Sequence, residues 1–326
     1  MATIDRNQDE GRITGTVAAA PPTGFVTGHF PRRKVMIISL SALAGFLLTV
    51  VWSAEFVDRT IGDNVADTML GHEARTTPIS GIAAGIAFAF ASGVAGTFTA
   101  CNIAAFGALA PMVGGTPSRR GRVLAMLRPL GWLSAGMVAV SATYGVIVAL
   151  VGTDMPQFST ARAATGFSPR MIQSMIVFGA IGLIMTVLGL AALGVVRDPL
   201  ARLARRFPNA PMVVMGALIG GFLIGRPFSM FRQMFRDAAE SHNVLYGAAA
   251  FSLQSLGNIL IMAVLFVLVG LAAGGRVQAW IAANPARLSV IVAVAFIVAG
   301  VFTFLYWDVR ILARRDLIWY PVAPWA

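Results

Sequence analysis

The sequence predicts an all-α integral membrane protein of about seven transmembrane helices: one N-terminal span, then two inverted three-helix repeats whose first helices are interrupted. Three observations carry that expectation. Hydrophobic residues make up 57% of the 326 and charged residues only 12%, against about 25% charged in a soluble domain, and the mean hydropathy is +0.77. The apolar residues fall in blocks close to the roughly 20 that a helix needs to cross a hydrocarbon core of about 30 Å. The charges, net +11, sit in the loops between those blocks, which is a topology signal and not a nucleic-acid-binding face.

Residues 1–34 form a polar tail rich in Gly, Pro and Thr with no periodic apolar face, and read as disordered or ordered by a partner. The tail ends in Pro31-Arg32-Arg33-Lys34. The extra N-terminal span, 35–55, follows at once, as in a signal anchor whose tail stays in the cytoplasm. That places the chain in a bacterial inner membrane with its N-terminus inside. The loop 56–78, with Asp58, Asp63, Asp67 and Glu73, suits the outer side.

The first repeat, 79–196, opens with the apolar segment 79–113, too long for one straight crossing. Gly81, Gly85, Gly93, Gly96, Gly107 and Pro111 punctuate it, so a kink or break is expected. Spans at about 130–151 and 171–196 complete it. Lys and Arg number five before the first span, two in 56–78, four in 112–128, two in 152–170 and four in 197–210, an alternation that keeps the N-terminus inside.

The second repeat, 211–309, opens with about 15 apolar residues at 211–225, some 22 Å of helix and short of a crossing. Beyond it, at 100° per residue, Phe228, Met230, Phe231, Met234 and Phe235 share one face, while Arg232, Gln233, Arg236 and Asp237 share the other. This predicts an amphipathic interfacial helix with its apolar face in lipid or docked on a partner. Spans at about 247–273 and 288–309 follow. The last residues, 310–326, with Arg310, Arg314, Arg315, Trp319, Tyr320 and Trp325, suit a membrane interface. Seven crossings leave those arginines outside, against the charge rule, whereas a re-entrant 211–225 would bring them inside. The repeat symmetry favours seven.

Candidate functional residues are few. Cys101 is the single cysteine, so no internal disulfide or Cys-built zinc site exists, and His29, His72 and His242 have no ligand spacing. No nucleotide loop, carboxylate pair or hydrolase triad is visible, and neither metal, cofactor nor nucleic acid is expected. Cys101 reads either as a reactive thiol at a helix break or as a small buried hydrophobe. Asn102 and Asn258 read as cavity-lining amides or as interhelical hydrogen-bonding groups. Arg226, followed by Pro227 at the end of a short helix, must reach water, headgroups, a carbonyl end or an anion. Gly131, Gly136, Gly182 and Gly189 read as close helix contacts. The bilayer is one partner, and other membrane proteins are expected through Phe228, Phe231, Arg232, Phe235 and Arg236.

The run GIAAGIAFAFASGVAGTFTACNIAAFGALAPM resembles the opening helix of the cytochrome c biogenesis transmembrane family, the CcdA/DsbD-type thiol-disulfide electron carriers. Cys101 matches the cysteine of that family's Pro-Cys break, with Ala100 in place of the proline, and Pro111 resembles a later proline. GALIGGFLIGRPFSMF and LYGAAAFSLQSLGNILIMAVLF resemble the corresponding helices of the second unit, so the resemblance covers about 79–309. It implies transfer of thiol and disulfide reducing equivalents across the membrane. The family's second cysteine is missing near Arg226-Pro227-Phe228, so a resolving thiol would have to come from a partner or a second copy. Two other classes fit the residues: a secondary transporter of a small solute, and a non-catalytic subunit or assembly factor of a larger membrane complex.

Overall fold

The computed structural model describes residues 25–53, 55–74, 76–96, 119–159, 166–225 and 229–326, and its elements are all helical. In chain order they are α1 (Lys34–Val51), π-type turns at Phe56–Asp63 leading into α2 (Asn64–Leu70), α3 (Gly81–Ala95), α4 (Arg119–Val151), α5 (Pro169–Ala192), α6 (Ala201–Arg206), α7 (Ala210–Gly225), α8 (Ser229–Ser241), α9 (Val244–Ala282), α10 (Ala286–Phe304), π-type turns at Leu305–Val309 and α11 (Arg310–Ala313). Five stretches are long and apolar enough to cross a membrane: those built on α1, α4, α5, α9 and α10 with its extension. Helices α3 and α7 are equally apolar but only 15 and 16 residues long. Among the described residues the fold is all-helical and suited to a membrane, with five helices long enough to cross it and two shorter apolar ones.

Local chemistry sets the ends. Asn243 caps α9, its side chain accepting from the amides of Leu245 and Tyr246 at 3.1 Å. Pro169 opens α5, where its missing N–H costs nothing. The acidic stretch 56–78, expected as a loop, is instead mostly helical. Asp67 folds it over the start of α3 by accepting from the Ala74 amide at 2.6 Å, and Ala66 and Ala74 are buried.

Glycine contacts fix the helix directions. Gly85 sits under Tyr246 and Gly93 under the Gln254 backbone, so α3 and α9 run parallel. Gly216 lies against the Leu133 carbonyl and Gly220 against that of Met137, so α7 and α4 run parallel too. Helices α4 and α9 are antiparallel, meeting at Ser141 with Ser255 and at Gly145 with Gly247. Helices α5 and α10 are antiparallel, through Gly182 with Gly300 and Gly189 with Ala293. One motif recurs. Gly93 opposes Gln254 while Gly257 opposes the Phe90 carbonyl, and Gly216 opposes Leu133 while Gly136 opposes the Val213 carbonyl. In both interfaces two glycines, each three residues from the carbonyl it exposes, let the backbones interlock. Of the glycines read as packing positions, Gly136, Gly182 and Gly189 are; Gly131 has nothing within 4 Å of where a Cβ would stand.

Three expectations are corrected. The tail does not stay apart from the body after residue 24. Phe25 packs edge-on against Phe296 at 5.1 Å, and the Ser289 hydroxyl bonds Thr27 and the His29 carbonyl. One buried aromatic outweighs the polar composition around it. Next, Arg310 is not at a lipid interface but 2% exposed, donating to the carbonyls of Thr49 at 2.9 Å and Trp52 at 3.1 Å. It closes the carbonyl end of α1, where a cation complements the helix dipole. Arg314, Arg315 and Trp319 do remain exposed.

The third correction concerns α8. Phe231, Met234, Phe235, Ala238 and Ala239 are buried by the chain itself, in a core shared with Phe88, Tyr144, Leu223 and Phe251. Phe231 reaches Gly96 at the end of α3, Ser92 points to Met234, and Tyr246 joins Asp237 over Gly85 near the start of α3. Helix α8 therefore runs antiparallel to α3, wedged against α3, α4 and α9, and does not lie along an interface. Its amphipathic pattern is genuine, but protein covers the apolar face, because glycine-spaced neighbours leave a slot for it.

Candidate functional site

The centre of the bundle is where α4 and α9 cross. Ser141 and Ser255 share a hydrogen bond of 2.5 Å there, and Gln254 and Asn258, one helical turn apart on α9, are buried beside them. A buried polar patch in an otherwise apolar helix costs free energy unless it is hydrogen-bonded or serves a function. Asn258 engages in such interactions.

A cavity opens between this patch and the ends of the two short helices. Gly96 bounds it from the end of α3, Gly220 and Leu223 from α7, and the Phe231 ring from α8. Its free space is about 20 Å³ for the centre of a water molecule, room for about one water.

Toward the end of the bundle that carries residues 152–158, a second polar network ties α4, α5 and α7 together. Gln173 donates to the Tyr144 hydroxyl at 3.1 Å, and Tyr144 in turn donates to the Gln157 side-chain carbonyl. Gln173 also donates to the Ile224 carbonyl at 2.8 Å and Ser174 to that of Gly225 at 2.6 Å. The last carbonyls of α7, which no helical turn can satisfy, are thus taken by α5 side chains. Around Tyr144, Phe235 and Phe251 stack at 4.7 Å and both meet the tyrosine edge-on. These three rings pack along one side of the network.

The structure sorts the predicted site residues clearly. Asn258 and Phe231 come together at the central cavity. Phe235 belongs to the aromatic cluster, and Arg232 lines a smaller pocket with Arg170 beside the Tyr144 network. Arg236 is exposed. Cys101, Asn102, Pro111, Arg226, Pro227 and Phe228 lie outside the described residues. Sequence reasoning missed Ser141, Gln254, Ser255, Tyr144, Gln157 and Gln173. The signal for part of the set is visible in retrospect: Gln254, Ser255 and Asn258 form an i, i+1, i+4 polar stripe in a helix that otherwise reads as uniformly apolar.

Compared with protein-family models, with curated proteins and with solved structures, the chain matches none.

Proposed function

We propose that the chain is a secondary carrier that passes a small polar solute through the membrane, built as an N-terminal span plus two inverted three-helix units. The observation that carries this reading is the buried patch of Ser141, Gln254, Ser255 and Asn258, held at the crossing of α4 and α9 beside the ends of both short helices. Polar groups there, between discontinuous helices, are the arrangement that carriers use to hold a substrate at the midplane. The duplicated glycine interlock supports two units of opposite direction: α3 pairs with α9 as α7 pairs with α4, while α4 and α9 oppose each other. In this reading α7 and α8 together make one broken crossing, and α3 opens the corresponding crossing of the first unit. The N-terminus is cytoplasmic, in a bacterial inner membrane.

Thiol chemistry of the cytochrome c biogenesis kind is a second reading. It is favoured by one fact of the chain: Gly96, at the cavity wall, precedes Cys101 by five residues. One labelling experiment separates the two. In a Cys101→Ser background, Ser255→Cys in intact membranes should react with a membrane-impermeant maleimide and be protected when the membranes are held cold enough to stop helix motion. Reaction only after denaturation would end the carrier reading. If Cys101→Ser alone removes a mixed disulfide with a partner, the thiol reading takes its place.

A further inference from the structure

We infer that the pocket between α5, α8 and the turn at Pro156–Phe158 is a binding site for a small monoatomic anion of chloride size. Two arginines line it, Arg170 in the first turn of α5 and Arg232 in the first turn of α8. They lie within electrostatic reach of each other, and among the described residues no carboxylate lines the pocket. Neither helix carries an acidic residue in its first turn. Arg170 adds to the positive end of the α5 dipole, and Arg232 brings a second positive charge to the same pocket, so the local potential favours an anion.

A third group points the same way independently. Gln157 is only 7% exposed and lines the same pocket. Gln173 donates to the Tyr144 oxygen, so the tyrosine's own proton goes to the Gln157 carbonyl oxygen, which fixes the orientation of that amide. Its NH2 group is left buried with no hydrogen-bond partner. A buried donor without an acceptor is costly. Arg232 is exposed and Arg170 half-buried, so water already solvates part of their charge, but an anion between them would accept from both guanidinium groups and from the Gln157 amide at once. The nearby carbonyls of Ile224 and Gly225 do not compete for the arginines, being taken by Gln173 and Ser174. The free space is small, about 10 Å³ for the centre of a water molecule, which favours an occupant near water size over a polyatomic anion.

Anion binding is read on purified protein without flux, so it stands apart from the carrier reading. The test is thermal unfolding of the full chain in detergent at constant ionic strength, with sodium gluconate replaced stepwise by sodium chloride or bromide. Both halides should raise Tm by several degrees with saturation, and sulfate should not. Arg232→Gln should remove the response, and Arg236→Gln should keep it. Gln157→Glu retains the acceptor for Tyr144 while setting a fixed carboxylate between the arginines. It should raise Tm in gluconate and abolish the halide effect. Equal Tm in chloride and gluconate for the unaltered chain would overturn the site. So would an equal effect of sulfate, or a halide response that survives undiminished in Gln157→Glu.

Discussion

Residue by residue, glycine decides how closely these helices approach. A Cβ at Gly216 would fall on the Leu133 carbonyl and one at Gly136 on that of Val213, both rigid backbone, so neither neighbour can turn aside. Gly131, one turn and a half from Gly136 on the same helix, has open space around it. The two positions look alike in the sequence because composition records the absence of a side chain, not what stands opposite. Gly216→Ala should therefore destabilise by about 1–3 kcal/mol, the usual cost of overpacking. Gly131→Ala should stabilise by about 0.5–1 kcal/mol, since alanine loses less backbone entropy in a helix. Thermal unfolding of the two variants in one detergent checks both signs.

Among the elements, α8 shows most sharply what a pattern leaves open. Its apolar and charged faces follow from 3.6-residue periodicity, and its position just after a short apolar helix was legible. What covers the apolar face was not, because lipid and protein reward the same side chains. With Phe235 2% exposed and stacked on Phe251, Phe235→Ala should cost about 3–5 kcal/mol of stability. An interfacial anchor would instead loosen membrane attachment and leave the fold intact. Arg236→Gln, on the exposed face, should stay within about 0.5 kcal/mol. Denaturant unfolding of the two variants, read beside membrane partition, distinguishes a core element from an anchor.

For the whole molecule, the direction of α1 relative to α10 sets where the chain ends. Ser289 bonds the His29 carbonyl, Gly45 lies against Val298, and Trp52 meets Phe302 edge-on at 5.4 Å, so the two helices run parallel. The C-terminal segment then folds over the end of α1, with the Ala323 amide on the Val50 carbonyl at 3.0 Å and the Trp325 indole on that of Val51 at 3.3 Å. Both termini of the bundle core thus sit at opposite ends. Reporter tags on the two chain termini should fall on opposite sides of the membrane, with the C-terminal tag accessible from outside intact cells. Tags on one side would restore the re-entrant 211–225, in which the positive-inside rule outweighs the repeat.

Much of this protein was determined by its sequence alone: an all-helical chain suited to a membrane, the approximate bounds of its five long helices, and the short apolar helix at 211–225. These follow from hydrophobic block length, helical period and Gly and Pro positions, all local along the chain. The tertiary structure alone decided that α8 is core, that Arg310 closes α1, that Gly131 is not a contact, that Ser255 meets Ser141, and that Gln157 lines one pocket with Arg170 and Arg232. Each depends on which surfaces face one another across more than a hundred residues of chain or across a turn whose path no periodicity records. A membrane sequence is especially silent there, because its lipid-facing and protein-facing positions are made of the same apolar residues.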